Sequence, residues 1–600
     1  MEKAKNLLQT FFGYDSFRIG QEKIIEQILA GKDTLGIMPT GGGKSITYQI
    51  PALMFPGITL VISPLISLMK DQVDALQSIG VSATFINSSL TLQEIQTRNE
   101  QIMAGECKII YVAPERLDSP FFTELLQRME LSLIAIDEAH CISGWGHDFR
   151  PSYLQIGPFI ESLPKKPVVL ALTATATPRV KQDICEQLHI SMVDTVQTGF
   201  ARENLRFNVM KGVNRDDFLL EYIRKNKDEA GIIYASTRKE VERIFGLLSK
   251  NGISCGKYHA GMNEQDRNQY QELFLYDEVT VMVATSAFGM GIDKSNVRFV
   301  IHYQIPKNME SYYQEAGRAG RDGLESDCIL LFAAQDVQIQ KFLIEQSEMD
   351  AGRKELEYGK LSKMIAYCHT ESCYQSYILQ YFGDDASNCH KCGNCTDERD
   401  LTDITREAQM VLSCVKRMKE RFGRTMIMKV LTGSSDRKLK SFGLDQLTTY
   451  GIMKKKSQKE VTALIDFLTA EGYLVPTDGA YPTLTVTEKG IAILKGDGTV
   501  YRKEKMQVKQ MVTNDTDGEL FQLLRRLRKE IADRDNIPPF IVFSDQTLRE
   551  MCIVKPKTPA ELLQVKGVGQ RKLDQYGDAF LALILSYSNN ESTEEKISID

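Results

Sequence analysis

Met38-Pro39-Thr40-Gly41-Gly42-Gly43-Lys44-Ser45 sets three glycines ahead of a lysine and a hydroxyl. Glycine amides at a helix N-terminus face an anion, a lysine beside them reaches between phosphates, and the following hydroxyl ligates Mg2+. Further on, an apolar run ends in Asp137-Glu138-Ala139-His140. There one carboxylate can hold Mg2+ through water while the next orients an attacking water. Together the two motifs imply that the chain binds and hydrolyses a nucleoside triphosphate. Thr40, Gly41, Gly42, Gly43, Lys44, Ser45 and Asp137 would surround phosphates and metal, with Lys44, Asp137, Glu138 and His140 as the catalytic set. Met38 stands where the general phosphate-loop pattern has its first glycine, and an ordinary glycine-rich turn is the alternative reading.

These groups need elements that bring distant segments to one edge. Thr34-Leu35-Gly36-Ile37-Met38 reads as a buried strand feeding the glycines, with a helix predicted from Ser45 onward. Leu133-Ile134-Ala135-Ile136 is unbroken apolar sequence, the pattern of a strand covered on both faces of a parallel sheet. Similar runs at 58–62, 108–112 and 168–172 alternate with helical stretches, and the alternation restarts at 231–234 and continues through 279–283 and 297–301. The fold expected is α/β, with two parallel-sheet domains at 1–204 and 205–344 and a cleft between them. Beyond residue 345 the strand signal fades and Cys, Lys and helical periodicity take over.

Bulk properties narrow the classes. Six hundred residues with 42% hydrophobic content supply several cores. The net charge of -6 gives no global sign of nucleic-acid binding, yet residues 405–496 carry sixteen Lys and Arg against nine Asp and Glu. That local excess is a candidate electrostatic footprint, the alternative being a solvated basic face. No apolar stretch is long enough for a membrane span and the N-terminus has no export signal, so a cytoplasmic protein is expected. Twelve cysteines in such a chain point to reduced thiols and metal ligation.

Cys389-x-x-Cys392-x-x-Cys395, with Cys373 upstream, offers four thiolates suited to tetrahedral zinc in a structural role, with Cys368, His369 and His390 as nearby competitors and a cluster of free cysteines as the alternative. Tyr312 to Gly323 contains Arg318 and Arg321, three apart and expected on one helical face, from which a guanidinium can reach a γ-phosphate across the cleft. Cys141-Ile142-Ser143-Gly144-Trp145-Gly146-His147-Asp148-Phe149-Arg150 holds the only Trp of the chain. Its flanking glycines suit an exposed loop; a buried Trp anchoring that loop is the other reading. Residues 405–496 read as three helices followed by a hairpin around Asp478-Gly479, a winged-helix pattern with Lys454-Lys455-Lys456 before its third helix.

The set Met38 to Ser45, Asp137 to His140, Thr173-Ala174-Thr175, Ala284 to Gly291 and Gln314 to Arg321 resembles the superfamily 2 helicases, specifically the RecQ DNA helicases. The resemblance extends to about residue 585. It implies two tandem RecA-like motor domains, a zinc-binding helical module at 345–400, a winged-helix domain at 401–496, a linker at 497–516 and a helical HRDC domain at 517–586, before a disordered tail at 587–600. By the same likeness Tyr14 stacks on adenine, Arg18 supports the site and Gln21 reads the base edge. A side-chain amide accepts and donates side by side in one plane, which suits that edge. The loop bearing Trp145, His147, Phe149 and Arg150 is implied to sense single-stranded DNA, for which stacking on bases supplies the means. In Val565-Lys566-Gly567-Val568-Gly569 with Arg571 and Lys572, a phosphate site and a plain interhelical turn both remain open. The wing is short, which leaves open its role as a strand-separating pin.

The function implied is ATP- and Mg2+-dependent unwinding of DNA with 3′-to-5′ polarity in recombination, repair and the SOS response, with structural Zn2+. The implied partners are single-stranded DNA and single-strand/duplex junctions, with a single-stranded-DNA-binding protein as a candidate. A monomer in the cytoplasm at the nucleoid is expected. Two rivals stand beside it: an RNA helicase, and an ATP-switched annealing protein that does not unwind.

Overall fold

The computed structural model describes the chain except residues 147, 290–293, 478, 480–481, 504–518 and 598–600; at 67 and 589–597 it describes backbone alone. The expectations for His147, for Met290 and Gly291, for the wing tip at Asp478 and for most of the linker therefore fall outside the described residues.

Seven strands form the first sheet: β1 Thr34–Ile37, β2 Ile58–Ile62, β3 Ala83–Ile86, β4 Ile109–Val112, β5 Leu131–Ile136, β6 Val168–Thr173 and β7 Thr195–Gln197. They run parallel in the order β3-β4-β2-β5-β6-β1-β7. Alternate residues of one strand enter different cores. Leu133 and Ala135 pack with Ile24, Tyr48 and Val73, whereas Ile134 and Ile136 pack with Tyr153, Ile156 and Ile184. Both faces of β5 are thus covered, which is why its sequence shows no alternation.

The second sheet comprises β8 Leu205–Lys211, β9 Ala230–Tyr234, β10 Cys255–Tyr258, β11 Val281–Ala284, β12 Val297–His302 and β13 Ser326–Phe332. Its order is β10-β11-β9-β12-β13-β8, again parallel. One apolar cluster continues from the first sheet through this one and into the helices Ala351–His369 and Tyr374–Tyr381, where Phe200 stacks on Phe382 at 4.5 Å and meets Tyr313 edge-on at 6.0 Å. The winged-helix segment and the C-terminal helical unit each close around a separate core.

Two sequence expectations differ from the structure. The helix preceding the paired arginines is Met309–Ala316, so Arg318 and Arg321 lie in the turns beyond it. Gly320 at φ +58° directs the chain out of helix there, and its N–H donates to the Val297 carbonyl. Residues Tyr501–Lys503, assigned to a linker, form a strand antiparallel to Leu401–Asp403 and close the winged-helix unit. The last helix is Asp578–Ile597.

Candidate nucleotide site and nucleic-acid interface

Strand order assembles the first site. β6 lies between β5 and β1, so the glycine loop after β1, the carboxylates after β5 and Thr173 at the end of β6 share one carboxyl edge, where parallel sheets bind ligands. Gly41 and Gly43 adopt φ +81° and +77°, and the loop ends at Ser45, the N-cap of the helix Ile46–Met54. Gln21 is buried against it: its Oε1 accepts from the Arg18 amide at 2.8 Å and its Nε2 donates to the Gly43 carbonyl at 2.9 Å. Arg18 donates to the Gly41 carbonyl. The amide expected to read a base edge is thus occupied by main chain, while Tyr14 is 48% exposed.

Across the sheet edge, Glu138 takes φ +48° and ψ 44°, a left-handed conformation costing a non-glycine residue about 1–2 kcal/mol. The turn sets Asp137 and Glu138 side by side. Burial and the Glu138 charge push the Asp137 carboxyl up to about 6, with Lys44 drawing it back. Burial holds His140 down near 4, so it is neutral at pH 7. The Thr173 hydroxyl spends its proton on the Thr175 carbonyl and therefore accepts from His140 Nδ1 at 3.0 Å. The same nitrogen lies 3.3 Å from Glu138 Oε2, which makes no hydrogen bond. Tyr153 Oη donates to the Asp137 carbonyl at 2.8 Å, a contact with no signature in the sequence.

The second domain closes on this loop. A Cβ at Gly41 would lie 3.3 Å from Arg321 Cγ, so Arg321 packs against the glycine loop. Arg318 instead donates to the Gly289 carbonyl within its own domain. Arg202, on the segment joining the domains, donates to the Thr40 carbonyl at 2.6 Å and the Gly320 carbonyl at 2.9 Å. Sequence reasoning missed Arg202, because an isolated arginine before a strand carries no spacing signal.

The Trp145 loop is the second site. Trp145 is 38% and Phe149 36% exposed. The Arg179 guanidinium stacks 3.0 Å from the Trp145 ring centre. Arg353 donates to the carbonyls of Gly144 and Gly146, and Lys360 reaches the Gly146 carbonyl at 3.0 Å. The loop is therefore neither a core anchor nor free: one ring face carries a cation, and two basic residues of the helix Ala351–His369 hold its main chain. Arg150 pairs with Asp148 and reaches the Pro64 carbonyl at 3.4 Å. Arg179, Arg353 and Lys360 escaped the sequence reading, since nothing local marks them.

Cys373, Cys389, Cys392 and Cys395 place their sulfurs within 4.8 Å of one another. Separations of 3.5, 3.8 and 4.0 Å for three pairs match the roughly 3.8 Å edge of a tetrahedron with ~2.3 Å Zn–S arms. Amides of Tyr374, Ser376, Cys389 and Cys392 point at these sulfurs, the partners thiolates require. Cys368 lies away from the cluster, buried in the motor core.

In the winged-helix unit the hairpin strands Leu474–Pro476 and Leu484–Val486 have three residues each, and Lys454, Lys455 and Lys456 are exposed. In the C-terminal unit Lys572 turns inward to the Ile541 carbonyl at 2.7 Å, and burial lowers its pKa to about 8. Gly569 abuts Gly13, beside Tyr14, while Lys529 pairs with Glu278 at 3.0 Å. The 565–569 turn thus packs on the first motor domain, and of its two candidate cations Lys572 serves the unit's own packing.

Five families match the chain: DEAD/DEAH box helicase over 18–184, helicase conserved C-terminal domain over 214–323, RecQ zinc-binding over 334–396, RQC domain over 398–510 and HRDC domain over 517–584. The zinc-binding match spans all four cysteines, and the cluster fits Zn2+. The ATP-dependent DNA helicase RecQ of Bacillus subtilis is 55% identical over 98% of this chain and 99% of its own length. Its namesake in Haemophilus influenzae is 42% identical over 97% and 95%. A putative ATP-dependent RNA helicase of Acanthamoeba polyphaga mimivirus is 36% identical over 82% and 92%. From the nucleotide loop to the HRDC turn, the chain belongs to the RecQ family of ATP-dependent DNA helicases.

Proposed function

We propose that this chain hydrolyses ATP in the cleft between its two parallel sheets and uses the closure to unwind DNA with 3′-to-5′ polarity, in recombination and repair. The observation that carries the reading is the meeting of Arg321, from the second domain, with Gly41 in the glycine loop of the first. In this reading the loop amides and Lys44 hold the β- and γ-phosphates, and Ser45 and Asp137 hold Mg2+. The metal, when bound, neutralises charge developing on the phosphates. Glu138 orients water, and neutral His140, whose Nδ1 donates to Thr173, stands 3.3 Å from the Glu138 carboxylate. Arg321 is the finger and Arg318 its support. For a base to be read, Gln21 exchanges the Arg18 amide and Gly43 carbonyl for the adenine edge, while Tyr14 is exposed to stack on it.

The partners of this reading are single-stranded DNA and its junctions with duplex, contacted by the Trp145 loop and the basic winged-helix face. A single-stranded-DNA-binding protein is a further partner, and the working form is a monomer in the cytoplasm at the nucleoid. Among the described residues no helix is long and apolar enough to cross a membrane. The test is ATP-dependent unwinding of matched 3′-tailed, 5′-tailed, forked and RNA-containing duplexes. The reading requires 3′-tailed and forked DNA to be opened and 5′-tailed DNA to be left paired. Preferential opening of RNA would select an RNA helicase instead, and annealing with no ATP-driven unwinding would select a switch protein.

A further inference from the structure

Arg202 lies on the segment between β7 and β8 that joins the two motor domains. An arginine has five N–H donors in a fixed plane, and here each has an acceptor. Nη1 donates to the Thr40 carbonyl at 2.6 Å and the Gly317 carbonyl at 3.4 Å. Nη2 donates to the carbonyls of Ala319 at 3.1 Å and Gly320 at 2.9 Å, and Nε to Asn204 Oδ1 at 3.4 Å. Asn204 in turn donates to the carbonyls of Gly320 and Leu324, both at 2.8 Å. Four of the five acceptors are main-chain carbonyls. One belongs to the glycine loop of the first domain, and three to the turn of the second that bears Arg318 and Arg321. That turn follows the helix Met309–Ala316, whose terminal carbonyls attract a cation.

We propose that Arg202 is the positioning residue that sets the distance between the glycine loop and the arginine-bearing turn, and so places Arg321 over the phosphates. The proposal rests on the reading of Lys44 and Arg321 as phosphate ligands. A guanidinium that bonds Thr40 on one side and Gly317, Ala319 and Gly320 on the other holds both backbones at once, and it sits on the one segment that follows both domains as they move. Nearby, a Cβ at Gly317 would lie 3.4 Å from Thr40 Cβ, so loop and turn are already in contact and a small loss of registry is felt directly. Lysine cannot replace it, because a compact ammonium has three donors and no fixed plane.

The experiment compares wild type, Arg202→Lys, Asn204→Ala and Lys44→Ala as full chains. Distances between labels on the two motor domains are measured without nucleotide, KM and kcat for ATP with single-stranded DNA, and melting temperature. In Arg202→Lys the interdomain distance distribution broadens and kcat falls by roughly 10- to 100-fold, the scale of an ångström-sized misplacement, while KM stays within about threefold. Asn204→Ala, which removes the Nε partner and two bonds of the same turn, shifts both readouts the same way by less. It carries the test if the lysine variant does not fold. A folded Arg202→Lys with wild-type kcat overturns the proposal, as does a raised KM with unchanged kcat, or a lost kcat with an unchanged distance distribution. Lys44→Ala separates the two readings. If it keeps wild-type turnover, the phosphate-loop reading fails, whereas the distance measurement judges Arg202 independently.

Discussion

Asp137 sits where burial and the Glu138 charge disfavour the ionised carboxylate that the proposed metal-holding role needs. Its folded-state pKa of about 6 exceeds the usual carboxylate value because of burial and the Glu138 charge, so the fold binds this proton more tightly than the unfolded chain does. That contribution is complete below about pH 4 and lost as pH rises through about 6. At pH 7.5 the ionised carboxylate is therefore a cost to the fold. Asp137→Asn should raise the melting temperature measured at pH 7.5 without Mg2+, lose that gain near pH 4, and abolish ATP turnover. An unchanged or lowered melting temperature at pH 7.5 would mean that the carboxylate is not strained. Lys44→Ala should leave the fold intact and remove ATP hydrolysis and unwinding, because a partly exposed loop lysine contributes little to packing. Turnover and circular dichroism of the purified variant check both halves.

At the scale of the element, the Trp145 loop is a tethered device. Its carbonyls at Gly144 and Gly146 are held by Arg353 and Lys360, and a Cβ at Gly146 would strike the His140 carbonyl at 2.4 Å. In the proposed coupling, movement of the loop reaches Glu138 through His140, a few residues away. A base that stacks on the covered face must displace Arg179, and the lost stack in Trp145→Ala is worth roughly 1–3 kcal/mol per base. DNA affinity should weaken modestly, since phosphate contacts dominate it, while DNA-stimulated ATPase falls towards the basal rate and unwinding stops. Normal stimulation in Trp145→Ala would remove the loop from the coupling. Arg353→Ala should reproduce the loss of stimulation with the Trp in place, read as ATPase rate against DNA concentration; a wild-type curve would show that the tether is not needed.

At the scale of the molecule, one apolar cluster runs from the first sheet through the second into the zinc module, so a metal held there would stabilise the seat of the helix that grips the Trp145 loop. Cys392, fully buried within that cluster, is the ligand whose loss the surroundings tolerate least. Cys392→Ser should lower soluble yield and melting temperature more than it alters ATP affinity of the protein that remains. A metal assay on wild type should return about one zinc per chain for this four-ligand site. Protein purified without chelator that carries no zinc would eliminate the site.

The sequence by itself determined what local pattern can encode. Unbroken apolar strands such as Leu133-Ile134-Ala135-Ile136 announce a sheet covered on both faces, Gly41 to Ser45 suits a phosphate loop once Asp137-Glu138 is read beside it, and the cysteine spacing suits a tetrahedral site. Family likeness then ordered the modules along the chain. Tertiary structure alone decided which groups meet across long separations: Arg202 with Thr40 and Gly320, Arg179 with Trp145, Arg353 with Gly144, Gly569 with Gly13. Each of these is a main-chain or ring-face contact that many residue types flank equally well, so composition and spacing leave no trace of it. Helix ends were misjudged for a related reason. Arg318 and Arg321 fit a helical period, but the chain leaves helix after Ala316 because Gly320 is drawn onto the Val297 carbonyl of a neighbouring strand, a partner that no local pattern specifies.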